Sequence, residues 1–145
     1  MKFRDELKWI IPVVVVCVLV FANTLSGQFV YDDLRHIVRN PLIQDNSLIW
    51  NALTSDVWAF KAYGTVAASN YWRPTFILWL ILNFRLFGAN PYGWHVMNLL
   101  LHTGVCVLSY FLLRRWKIAP MIACAITLIF AVHPVHVESV AWISG

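Results

Sequence analysis

No charged residue falls between Trp9 and Tyr31, and Trp9–Leu25 is almost wholly apolar. A membrane-crossing helix needs about 20 such residues, so this run predicts a first span at 9–25. Lys2, Arg4 and Lys8 precede it and predict a cytoplasmic N-terminus. A cleaved signal peptide, with Val20-Phe21-Ala22 as its small-residue site, is the competing reading. Under both, the chain after Leu25 lies on the outer side. Tyr92–Leu113 is a second uncharged run, with Tyr92 and Trp94 as interfacial anchors and Arg114, Arg115 and Lys117 beyond its far end. Ile118–Val132, extended by His133, is a third. These predict spans at 92–113 and 118–133, with the basic turn between them cytoplasmic. Pro74–Phe87 is apolar too, but it has only 14 residues and contains Arg85. As a span it would put the Arg114–Lys117 cluster outside. An interfacial or re-entrant helix, opened by Pro74 and ended by Gly88, fits better.

The fold expected is therefore all-α and polytopic, one transmembrane domain over 1–145 with about three spans. Its outer loop, 26–91, carries short interfacial helices. Composition agrees. The 145 residues are 60% hydrophobic and 12% charged, whereas a soluble domain carries about a quarter charged residues. The net charge of +4 does not indicate nucleic acid, because the basic residues are scattered or flank apolar runs. Cys17, Cys106 and Cys124 all sit inside apolar runs and read as small buried hydrophobes.

This topology brings the Ser26–Trp72 loop and the His133–Gly145 segment to the same outer face, so any chemistry would be shared between them. The first loop opens with Phe29-Val30-Tyr31-Asp32-Asp33. One carboxylate of such a pair can serve as a general base while the other orients a partner. Adjacent side chains in extended chain point opposite ways, so only one need face a site. The bland alternative is a solvated turn or a helix cap ahead of Leu34. Arg35, Arg39 and Arg73 follow. Guanidinium groups bind phosphate well, and a lipid-linked phosphate is the phosphate to expect at a membrane surface. Pairing with Asp32, Asp33, Asp45 or Asp56 is the plainer account of them. Asn46–Trp58 shows helical spacing after Ser47 as a cap. His95, Asn98, His102 and Ser109 fall on one stripe of the second span and predict polar helix–helix contacts.

The last segment offers His133, His136 and Glu138. Their spacing matches no standard zinc motif, and Pro134 interrupts it. No cofactor or metal is expected; a divalent metal here is the lesser reading, and an acid–base or substrate-binding cluster is preferred. Trp142–Gly145 reads like the middle of an element, so a fragment of a larger protein is expected.

Several motifs occur in a fixed order: Val30-Tyr31-Asp32-Asp33, Asn40-Pro41, Tyr71-Trp72-Arg73-Pro74, Leu86-Phe87-Gly88, Pro91-Tyr92-Gly93-Trp94-His95, Asn98 to His102, and His133-Pro134-Val135-His136-Val137-Glu138. The series resembles the N-terminal membrane part of the transmembrane, tetratricopeptide-repeat-containing O-mannosyltransferases and their bacterial relatives, over nearly the whole chain. That family is similar to the GT-C glycosyltransferases, polytopic enzymes that use a polyprenyl-phosphate-linked sugar on the outer or lumenal face. The resemblance implies that Asp32 or Asp33 is the base towards an acceptor hydroxyl on protein Ser/Thr or a glycan. It implies that Arg73, His133, His136 and Glu138 belong to the site, and that mannose is the sugar. The family has many more spans and a C-terminal repeat array, which this chain lacks. The partners expected are membrane lipid, the lipid-linked sugar and the acceptor, with a bacterial cytoplasmic membrane preferred to the endoplasmic reticulum. The alternative function is a non-catalytic membrane module or helix-packing partner. A transporter is disfavoured because no internal repeat is visible.

Overall fold

The computed structural model describes residues 3–62 and 71–144, so the part of the expected outer loop at 63–70 and Gly145 lie outside the described residues. Every regular element among the described residues is helical, as the apolar runs predict. Helix α1, Phe3–Phe21, holds Pro12 and the run Val13–Val16. Both are poor choices for a helix in water. In hydrocarbon the backbone has no alternative partner, so helix is enforced. A tighter turn, Ala22–Ser26, continues the element. The combined stretch Arg4–Ser26 has 23 residues, and its 18-residue apolar window has a mean hydropathy of 2.3. Helix α5, Pro91–Arg115, has 25 residues, and its 18-residue apolar window has a mean hydropathy of 1.8. At 1.5 Å per residue both exceed the roughly 30 Å of a bilayer core. The first two expected spans are thus present as helices long and apolar enough to cross.

The third run behaves differently. Helix α6, Pro120–Ala131, has only 12 residues, or about 18 Å. Pro120 opens it at the first turn. It closes before His133, a residue that the following Pro134 pushes out of helical conformation. A separate short helix, α7, then runs from His136 to Ala141.

Where one domain is expected, the chain separates into two compact units. Of the described residues, the first comprises 3–27 and 95–143. In it α1 packs on α6, over a core of Val13, Cys17, Cys106, Tyr110, Ala123 and Ala131, all fully buried. The small residues on α6 let helix backbones approach closely, the usual basis of packing in lipid. Gly27 passes the His95 ring so closely that a Cβ there would lie 2.7 Å from Nε2.

The second unit comprises 28–94 together with Ser144. It is the expected outer loop, and it has a core of its own in Ile37, Ile43, Val57, Leu80 and Ile81, which is why it separates. Helices α2, Pro41–Gln44, and α3, Ile49–Thr54, pack on α4, Pro74–Phe87. Asn40 caps α2 by accepting from the Leu42 N–H at 3.0 Å. Ser47 does not cap α3: it lies inside a 3-10 turn, Asn46–Leu48, that leads into the helix, and Asp45 caps that turn, its Oδ1 accepting from the Ser47 N–H at 2.8 Å. Helix α4 has Pro74 at its first turn and stops at Gly88, whose φ of +57° a side chain would resist.

Candidate functional site

The loop that carries the carboxylates turns sharply at Tyr31, which has φ +49° and is exposed. Positive φ is uncommon outside glycine, and a reciprocal pair of bonds holds it here. The Asp33 N–H donates to Val30 O at 2.9 Å, and the Val30 N–H donates to Asp33 Oδ2 at 3.0 Å. Asp33 Oδ1 accepts a third bond, from the Ser144 N–H at 2.9 Å. Asp33 is fully buried, and both its oxygens are engaged by backbone donors. It does not cap the following turn, as the bland reading had it; it bonds backwards.

Asp32 differs from its neighbour. It is half-buried. Its backbone carbonyl accepts from the N–H groups of Arg35 at 2.9 Å and His36 at 2.7 Å, which starts the π-helical turn Leu34–Val38. The adjacent pair is therefore split, with the Asp33 carboxylate tied into the scaffold and Asp32 half-buried beside it. His36 anchors this turn. Its ring lies 4.2 Å from Trp58, 5.5 Å from Phe60 and 5.7 Å from Phe76, centroid to centroid. Reading the sequence did not single out His36, because its ring partners come from two other segments, Trp58 with Phe60 and Phe76 on α4.

Of the predicted phosphate-binding residues, Arg35 is exposed on the π-helical turn and Arg39 is exposed just after it. Arg73 is exposed too, and its guanidinium lies 4.2 Å from the centroid of the Tyr71 ring. The neighbouring Trp72 is fixed by its Nε1–H, which donates to Leu53 O at 2.8 Å. Asp45 carries no catalytic signature. Its carboxyl is held below the usual range by the Ser47 backbone N–H and then by the Ser47 hydroxyl.

Glu138, His133 and His136 belong to the other unit. Glu138 and His133 are exposed, and His133 Nδ1 accepts from the Val135 N–H at 3.2 Å. His136 is half-buried, 4.4 Å from the Phe130 ring and 5.1 Å from the His102 ring. Burial, followed by the nearby His102 and His133, pushes its pKa below the ordinary value. His136 lines a cavity of about 270 Å³ together with Asn98, His102, Phe130, Ser139 and Val140. His95, Asn98 and His102 are buried inside this unit, as their stripe predicts. The predicted site residues thus divide: Asp32, Asp33, Arg35, Arg39 and Arg73 in one unit, His133, His136 and Glu138 in the other.

One further group in the spans escaped the sequence reading. Glu6 accepts from Arg114 Nη2 at 3.0 Å and Nε at 3.1 Å and from the Tyr110 hydroxyl. Arg114 Nη1 also donates to Ile118 O at 2.5 Å.

Among characterised proteins, the chain is 33% identical over 144 residues to human protein O-mannosyl-transferase TMTC4, a match covering 90% of this chain. It is 34% identical over 129 residues to human TMTC1 and 33% identical over 127 residues to Tmtc1 of Drosophila melanogaster, covering 88% of the chain in each case. The chain is a relative of the TMTC protein O-mannosyl-transferases. With its two helices of spanning length, it is a membrane protein. It spans about a fifth or less of each of these TMTC relatives, 19%, 14% and 15% of their lengths. All three come from animals, and they lend no weight to a bacterial membrane. No protein-family model matches the chain, and no solved structure matches it.

Proposed function

We propose that this chain is the N-terminal part of a membrane glycosyltransferase. The whole enzyme moves a sugar, mannose by analogy with the named relatives, from a polyprenyl-phosphate donor to a hydroxyl of a protein or glycan on the outer or lumenal face. Asp32 removes the proton of the acceptor hydroxyl as that oxygen attacks the anomeric carbon. The bond from that carbon to the phosphate oxygen breaks, and the lipid phosphate leaves. Arg35, Arg39 and Arg73 balance its charge. Glu138, His133 and His136 bind or orient substrate. The observation that carries this reading is the division of labour in the carboxylate pair: Asp33 is consumed by backbone bonds, and the half-buried Asp32 stands next to it in the loop after the first span.

The test uses the full-length protein with a mannosyl polyprenyl-phosphate donor. Asp32→Asn is expected to lower transfer by at least about a hundred-fold, the low end of what a lost general base costs, with the melting temperature unchanged. Retained transfer in the Asp32→Asn/Asp33→Asn protein overturns the assignment. A full-length wild-type protein that binds membrane but transfers nothing would favour the non-catalytic module.

A further inference from the structure

Three buried groups outside the proposed transfer site converge within the first unit. Cys17 projects from α1. His102 and Cys106 lie one turn apart on α5, where residues i and i+4 share a face. The exposures of Cys17, His102 and Cys106 are 0%, 8% and 0%. The two thiol sulfurs and a ring nitrogen all lie within 4.8 Å of one another. Cys106 Sγ and His102 Nε2 are 3.7 Å apart. A thiolate and an imidazole nitrogen on one tetrahedral zinc ion, at about 2.3 and 2.0–2.1 Å, stand about 3.6 Å apart.

A fourth donor lies against the same ring nitrogen. Ala131 closes α6, and its carbonyl has no partner one turn on, as at any helix end. It lies 3.0 Å from His102 Nε2. Without metal, the imidazole N–H donates to this oxygen. With metal, the imidazole carries its proton on Nδ1 instead, and the Ala131 oxygen becomes an available vertex.

We infer that Cys17, His102, Cys106 and the Ala131 carbonyl form a structural zinc site within the helix bundle, clamping α1, α5 and the end of α6. Charge selects the ion. Two thiolates neutralise one divalent cation, so the occupied site is neutral, which suits a location where a net charge is costly. A monovalent soft cation such as Cu⁺ would leave a net negative charge. Binding breaks two S–H bonds and forms two Zn–S bonds, and both protons leave to water. The remaining buried thiol, Cys124, donates to Trp9 O at 3.4 Å and takes no part. This inference is independent of the transfer reaction.

Full-length protein purified in detergent tests it by elemental mass spectrometry, followed by stripping and titration with zinc chloride or cobalt chloride. Stoichiometric zinc is expected in the wild type and in Cys124→Ala, and none above background in Cys17→Ser/Cys106→Ser. Cobalt in the wild-type protein should give thiolate-to-cobalt charge-transfer absorption, a readout that needs no variant to fold. Wild-type protein that neither carries nor takes up zinc, and shows no such band, overturns the site. Zinc retained by the double serine variant overturns it equally.

Discussion

Glu6 and Asp33 are both buried carboxylates, each with both oxygens satisfied, but by opposite means. Glu6, 3% exposed, is held by the side chains of Arg114 and Tyr110. Asp33, 0% exposed, is held by the backbone N–H groups of Val30 and Ser144. A charge paired with side chains depends on those partners. A charge held by backbone donors depends on the course of the chain. The first arrangement clamps a span; the second fixes the shape of a loop.

Removing Arg114 should do the most damage. Arg114→Met leaves the Glu6 carboxylate buried without its counter-charge, a loss of about 3–5 kcal/mol. Thermal melting in detergent would show a large drop, and Glu6→Gln/Arg114→Met should recover most of it. If the single variant melts like wild type, Glu6 is not buried as described. Asp33→Ala comes next, at about 1–3 kcal/mol, because two part-buried backbone donors lose their acceptor. The loop should open, which limited proteolysis near Tyr31 would report. Arg73→Ala removes only an exposed ring contact and should cost about 0.5–1 kcal/mol, so a larger fall in stability would mean that Arg73 holds more than Tyr71.

The smallest effect is the one read through pH. Asp45 has a depressed folded pKa, caused first by the Ser47 N–H and then by its hydroxyl. The stability it lends is present above the unfolded value of about 3.9 and is lost as pH falls through the lower folded value. Ser47→Ala removes the hydroxyl bond and keeps the N–H bond, so acid unfolding should begin at slightly higher pH. An unchanged acid limb would remove the hydroxyl from the account.

What could be read from the sequence was what short range decides. Pro74 and Gly88 bracket α4 as expected, because proline and glycine act on their own backbone. The spans at the first and second apolar runs follow from length and hydropathy alone. The carboxylate pair was visible, but not which member is buried, since the Ser144 donor lies 111 residues from Asp33. The Glu6–Arg114 pair hid for the same reason, across 108 residues. The three cysteines gave the subtlest difference. Each reads as a small apolar residue, and only the meeting of α1 with α5 turns two of them into a group.

Helix α6 ends at Ala131, and its last carbonyl meets His102, the twelfth residue of the 25 in α5. It therefore stops about halfway along a span. Non-helical backbone at such depth persists only where protein encloses it or where water reaches it. The residues after Ala131 adjoin the cavity that His102 and His136 line. Protein meets it here: the rings of His102, Phe130 and His136 come together at the end of the short helix and line the gap that it leaves beside α5.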